Sequence, residues 1–191
     1  VTQLGMVEPE SAARRTGAKP GDAIVVTNTL GDSRAGLELL LKRGRVNGEH
    51  EAVVTSHLKP EPRIREARAA VATGKVHAMM DLSDGLSADL PKLCERSGVG
   101  ARVDAALIPI SPKMRACAAE LEADPVLLAA SGGEDYELLF ACSREDADDI
   151  AGVIAETGST ATVIGEFTSG TDCALVTEVG ERPMPESWQH F

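Results

Sequence analysis

Met80-Asp81-Leu82-Ser83-Asp84-Gly85-Leu86 sets two carboxylates three positions apart, with a serine between them and a glycine directly after. Two carboxylates about 4 Å apart repel by about 4 kcal/mol at an effective dielectric of 20, and a bound divalent cation turns that repulsion into attraction. Magnesium takes hard oxygen ligands, typically one or two carboxylates, with phosphate oxygens and water completing its shell. Ser83 can donate its hydroxyl to a phosphate oxygen, and Gly85 lets the amides of a helix start approach one closely. The same residues also suit plain helix capping, where Asp or Ser satisfies unpaired N–H groups and does nothing more.

Three further segments carry chemistry-bearing residues. Ser131-Gly132-Gly133-Glu134-Asp135-Tyr136-Glu137-Leu138 places paired glycines before three acids. Glu134 there can accept hydrogen bonds from an amine or a protonated heterocycle; the alternative is a solvated turn with alternate acids facing water. Arg14-Arg15-Thr16-Gly17-Ala18-Lys19-Pro20-Gly21-Asp22 sets Arg15 beside a glycine turn, where a guanidinium grips phosphate through two hydrogen bonds or simply stays solvated. Trp188-Gln189-His190-Phe191 holds the only tryptophan of a chain that is 3% aromatic. Such a tail docks onto the body, or its indole stacks on a flat heterocycle. His50, His57 and His77 show neither metal-ligand spacing nor a paired nucleophile, and they are given no role.

These segments need elements to position them. Ala23 to Thr27 is a nearly continuous apolar run, predicting a strand covered on both faces. Asp32 stands where it would cap a helix with Leu37, Leu40 and Leu41 as its apolar stripe and Gly44 as its stop. Helices are predicted for Glu49 to Leu58, from Ile64 to Gly74, and over Leu86, Leu90, Leu93 and Cys94, where Pro91 predicts a kink or a late start. Met114, Cys117, Ala118 and Leu121 repeat at helical spacing, as do Ala147, Ile150, Ala151 and Ile154. Val1 to Gly5, Val76 to Met80, Ala101 to Leu107 and Tyr136 to Cys142 read as strands. Ala161 to Phe167 and Cys173 to Glu178 are predicted to pair across Ser169-Gly170. The mixed order, with parallel crossovers and at least one hairpin, predicts an α/β (α+β) fold, a layered α/β/α sandwich on a mixed sheet.

Composition narrows the partners. The chain has 191 residues, enough for one or two domains, with 43% apolar and 26% charged residues. Its formal charge of −11 argues against a nucleic-acid surface. No apolar run approaches the length of a membrane helix. Cys94, Cys117, Cys142 and Cys173 form no C-x-x-C pair and read as small buried hydrophobes of a reducing cytoplasm. An acidic protein that handles phosphorylated ligands needs a divalent metal between the two negative partners.

Taken together, R-x-G-A-K-P-G-D near the start, G-D-S-x-A-G-L at 31–37, M-D-L-S-D-G-L-S-A-D-L at 80–90, S-G-G-E-D-Y-E-L-L-F at 131–140 and the aromatic-x-H-F ending resemble one family. That family is the thiamine-monophosphate kinases, within the aminoimidazole-ribonucleotide-synthetase-related superfamily. The resemblance implies transfer of the γ-phosphoryl of ATP onto thiamine monophosphate, giving thiamine diphosphate, by direct in-line transfer with several Mg²⁺ ions. It implies Asp81 and Asp84 as Mg²⁺ ligands, Ser83 and Arg15 as ATP contacts, Glu134 as a substrate contact, and Trp188 as the aromatic flanking the substrate. It also implies a homodimer and a further amino-terminal domain. Residues 1–12 would then be the remnant of that domain's last strand plus linker, and residues 13–191 the carboxy-terminal substrate-side domain, with little activity by itself. Two other readings stay open: another ATP-using member of the superfamily acting on a different small molecule, and a non-catalytic binding or assembly module.

Overall fold

The apolar run Ala23–Thr27 forms β1, buried along its whole length because it lies inside a seven-stranded sheet with helices on both faces. The structure, a computed structural model, describes residues 2, 5–7, 9, 12–45 and 48–187. Along the chain follow α1 (Asp32–Arg43), a 3₁₀ turn at Gly48–His50, α2 (Glu51–Leu58), α3 (Ile64–Ala72), β2 (Val76–Leu82), α4 (Leu86–Ser97) and β3 (Gly100–Asp104). Then come α5 (Pro112–Leu121), α6 (Pro125–Ser131), β4 (Glu137–Cys142), α7 (Ala147–Ala155), β5 (Ala161–Thr168), β6 (Cys173–Thr177) and β7 (Gly180–Pro183). The strands lie in the order β2-β4-β1-β5-β3-β6-β7. Every neighbouring pair is antiparallel except β3 and β6.

Strand residues alternate between the two faces. Ile24, Val26, Ala78, Met80, Leu139 and Ala141 join one core with residues of α1, α2, α4, α5 and α6. Ala23, Val25, Met79, Phe140 and Cys142 join a second core with Ala70 of α3 and Ile150 and Ile154 of α7. The result is the expected three-layered sandwich. No helix among the described residues is long and apolar enough to cross a membrane.

Several local expectations change. The α1 helix buries Ala35, Gly36 and Leu39, whereas Leu41 is 73% exposed. The cause is close packing on α2, since a Cβ on Gly36 would lie 2.2 Å from the Val53 carbonyl oxygen. That contact turns the small residues inward and swings the expected leucine stripe away. Asp32 does not cap α1 either, because Gly31 holds that position and Asp32 is the first helical residue. In α3, Ile64 is exposed while Glu66 is buried on a hydrogen bond from Ser159 Oγ (2.6 Å). Pro91 lies inside α4, which nonetheless starts at Leu86 and so has no late start.

The expected hairpin of β5 and β6 does not form, because β3 lies between them. Gly165 of β5 makes room, as a Cβ there would sit 2.0 Å from the Arg102 carbonyl oxygen. The hairpin actually present joins β6 to β7. Strand β3 ends at Asp104 rather than Leu107, and α6 was not foreseen. Cys94, Cys117 and Cys142 are buried as read, but Cys173 is only half-buried. The strand expected at Val1 to Gly5 lies largely outside the described residues.

Candidate functional site

Strands β2 and β4 are antiparallel neighbours, so the end of one adjoins the beginning of the other. Asp81 pairs with Leu138 and Leu82 with Glu137. The loops beyond continue the pairing, with the Glu134 N–H donating to the Ser83 carbonyl (2.7 Å) and the Tyr136 N–H to the Leu82 carbonyl (2.9 Å). This approach needs the glycines. A Cβ on Gly85 (φ 95°) would lie 2.4 Å from the Gly132 carbonyl oxygen, and one on Gly133 would lie 2.8 Å from that of Ser83. Glu134 (φ 65°) and Tyr136 (φ 51°) both adopt left-handed backbone, which costs about 1–3 kcal/mol each and concentrates at functional sites.

A third loop joins these two. The Asp135 carboxylate accepts the N–H groups of Gly31 (2.7 Å) and Ser33 (3.2 Å) at the start of α1. Burial pushes its carboxyl up to about 7, aided by Asp32 and Glu137 and opposed by those two donors. Asp32 is itself held by Thr29 Oγ1 (2.7 Å) and Ser111 Oγ (2.6 Å). Glu137 is buried, accepting from Thr27 Oγ1 (2.6 Å) and Asn28 Nδ2 (3.0 Å), with Arg63 Nε at 3.2 Å. Burial raises its pKa against those partners. Asp135 and Glu137 therefore turn inward, while Glu134 keeps a half-exposed side chain. Asp135 and Glu137 line, with Asn28, Lys59 and Arg63, a polar cavity of about 300 Å³. An apolar groove of about 490 Å³ runs alongside, between Pro60, Pro62, Ile64, Tyr136 and Leu138, with Asp81 on its wall.

Asp81 is exposed at the end of β2, one step before the turn in which it was expected. Helix α4 is capped by Gly85 with no side-chain hydrogen bond, so neither Ser83 nor Asp84 serves as a cap. Instead Asp84 pairs with Lys92, which also reaches the buried Asp89 (2.8 Å), while Asp89 Oδ2 accepts the Asp84 N–H (2.8 Å). The two carboxylates, Asp84 first, raise the Lys92 pKa. Among the described residues no group of three or more His, Cys, Asp or Glu side chains is arranged to hold a metal ion.

The structure thus brings Asp81, Ser83, Asp84 and Glu134 into one region. Arg15 stands apart from it. Its carbonyl accepts from Ser97 Oγ (3.1 Å), at the opposite end of α4 and about 16 Å along the helix from Leu86, and its side chain is exposed. Trp188 lies outside the described residues.

Four neighbours of the site were not singled out from the sequence: Ser33, His57, Asp89 and Asp135. His57 Nδ1 lies 3.0 Å from Ser33 Oγ and 3.7 Å from Glu134 Oε2. The other two histidines among the described residues serve elsewhere, His50 facing Glu120 (3.0 Å) and His77 facing Asp22 (2.8 Å). Only the acid-rich composition of the motifs hinted at Asp89 and Asp135, and nothing in the spacing marked His57.

Residues 19–178 match the family described as AIR synthase related protein, C-terminal domain, and the chain belongs to it. Within that class it is similar to the thiamine-monophosphate kinase of Escherichia coli (strain K12), with 37% identity over 190 residues, covering 98% of this chain and 57% of that protein. The crystal structure of thiamine-monophosphate kinase from Stenotrophomonas maltophilia K279a superposes with a TM-score of 0.80 at 32% identity, over 88% of this chain and 54% of that one. A structure of AaThiL complexed with AMPPCP and TMP gives 0.79 at 34% identity, over 94% and 54%. The chain therefore spans little more than half the length of these relatives.

Proposed function

We propose that this chain is the substrate-side half of a thiamine-monophosphate kinase, which transfers the γ-phosphoryl of ATP onto thiamine monophosphate to give thiamine diphosphate. The observation that carries the reading is the backbone hydrogen bonding that joins the end of β2 and its loop, with Asp81, Ser83 and Asp84, to the loop of Glu134, with neither Ser83 nor Asp84 used as a helix cap. Such transfer is mostly positioning and charge neutralisation, with little covalent work for the protein.

Asp81 and Asp84 would hold Mg²⁺. Two carboxylates are the number such an ion typically takes when phosphate oxygens and water supply the rest. Asp84 already pairs with a cation, the Lys92 ammonium, so its side chain is turned to where a positive charge sits. When bound, the metal supplies neutralisation of the polyphosphate. Ser83 would contact the ATP phosphates, Arg15, at the far end of α4, would contact ATP only at a part remote from Ser83, and Glu134 would accept a hydrogen bond from the substrate. The apolar groove beside Asp81 offers a wall for its flat rings. Trp188 is assigned to the same substrate by its place in the motif order. The remaining nucleotide and metal ligands, and the surface of a homodimer, would come from a further, amino-terminal domain. ATP, Mg²⁺ and thiamine monophosphate are thus the ligands, and the cytoplasm the compartment.

Calorimetry of the 191-residue chain with thiamine monophosphate, with and without Mg²⁺ and ATP, tests this. Measurable binding of thiamine monophosphate is expected, with turnover appearing only when an amino-terminal domain is supplied in cis or in trans. Failure to bind the substrate and absence of turnover in that combination would refute the assignment. Binding of ATP alone would favour another superfamily member.

A further inference from the structure

Ser33, His57 and Glu134 come from three different stretches and meet at one nitrogen. Resting on the kinase reading above, we propose that His57 is a positioning residue for the substrate carboxylate of Glu134. Its Nδ1, braced by Ser33, holds Oε2 and leaves Oε1 to face the ligand's donor.

The distances define the roles. Nδ1 lies 3.0 Å from Ser33 Oγ and 3.7 Å from Glu134 Oε2. A carboxylate only accepts, whereas a hydroxyl both donates and accepts. The 3.0 Å contact is a hydrogen bond and the 3.7 Å one is an electrostatic approach. The carboxylate is attracted to Nδ1 only if that nitrogen carries the proton, so the proposal assigns the Nδ1–H form to the ring, with Ser33 Oγ as acceptor. Ser33 supplies the fixed point. It is fully buried, and its N–H is tied to Asp135, the residue next to Glu134. The His57 side chain is 17% exposed and sits in the last turn of α2, which is pressed against α1 at Gly36.

Glu134 differs from both. Its side chain is 43% exposed, on a left-handed backbone, and among the described residues its carboxylate accepts no hydrogen bond from another side chain, His57 being its near neighbour at 3.7 Å. An unbraced glutamate would have to give up its rotamer freedom when the ligand arrives. One already held does not, and affinity rises through preorganisation.

The test compares His57→Leu, His57→Asn and Ser33→Ala with the unaltered chain, using thiamine monophosphate calorimetry and ¹⁵N spectra of the histidine side chains. An asparagine amide reaches the place of Nδ1, whereas leucine only fills space. We expect His57→Leu and Ser33→Ala to weaken thiamine monophosphate binding about five- to tenfold, with His57→Asn within about twofold of the original. The ATP constant should not move. The His57 resonances should report Nδ1–H in the unaltered chain, shifting toward the Nε2–H form in Glu134→Gln. Equal affinity for all variants would overturn the proposal, as would equal losses in His57→Leu and His57→Asn, or an unprotonated Nδ1. Should the unaltered chain bind no thiamine monophosphate, the kinase reading falls, and the ¹⁵N spectra alone decide whether His57 engages Glu134.

Discussion

Two cations compete for the carboxylate of Asp84 in the proposed cycle, the Lys92 ammonium seen in the structure and the magnesium that a kinase requires. The lysine–aspartate pair is about two-fifths exposed on each side, and such pairs contribute roughly 0.2–1 kcal/mol. Lys92→Met should therefore tighten divalent-cation binding by no more than about fivefold, as read by Mn²⁺ titration under electron paramagnetic resonance. Asp84→Asn and Asp81→Asn should act oppositely. Each is expected to reduce phosphoryl transfer in the complete enzyme by about 100-fold or more while leaving circular dichroism unchanged. Unaltered turnover at limiting Mg²⁺ in both would remove the metal assignment. Asp135 carries a different signature. Its pKa rises from 3.8 to about 7 on folding. The folded state thus binds the extra proton, and stability declines as pH climbs from about 4 through 7. The ceiling of that loss is about 4 kcal/mol, since tenfold in proton affinity is about 1.4 kcal/mol. Asp135→Asn should flatten this segment of a urea-denaturation pH profile. At this scale the motif carboxylates were legible because their spacing is local. Ser33 and His57 were not, since 24 residues separate them and only tertiary packing makes them neighbours.

The elements meet through glycine. Loops after β2 and before β4 can approach only where side chains are missing, and the Gly132 carbonyl occupies the space a Cβ on Gly85 would need. Gly85→Ala adds a methyl group 2.4 Å from a carbonyl oxygen at a positive φ. The expected destabilisation is about 2–4 kcal/mol in denaturant titration, combining overpacking with backbone strain. The amides of Glu134 and Tyr136 should then exchange with deuterium faster than those of β5. Unchanged protection there would show that the loops are held together by something other than this contact. Most elements could be read from apolar period alone, as for α5, α7, β1 and β4. Others could not. The seven residues of α6 are too few to show a period, although Asp124-Pro125 is a proper helix start, with Asp124 Oδ1 accepting the Val126 and Leu127 N–H groups. The burial of Leu39 in place of Leu41 was hidden because the facing surface of α2 lies elsewhere in the chain.

For the whole molecule, the layered architecture followed from the order of elements, but the neighbours within the sheet did not. Proximity in sequence suggested β5 beside β6, whereas the sheet inserts β3 between them in a parallel pairing that no turn can announce. Strand β1 shows what such ordering entails. Its partners are β4 and β5, which begin more than a hundred residues later. At about 5–20 residues per second, a ribosome needs about 5 to 20 s or more to deliver the first of them. Throughout that interval the nascent Ala-Ile-Val-Val-Thr stretch has both edges unpaired, a short β-prone segment without charge or proline. The emerging polypeptide is therefore most exposed to clumping before β4 leaves the ribosome, and chaperone capture during synthesis should centre on residues 23–27.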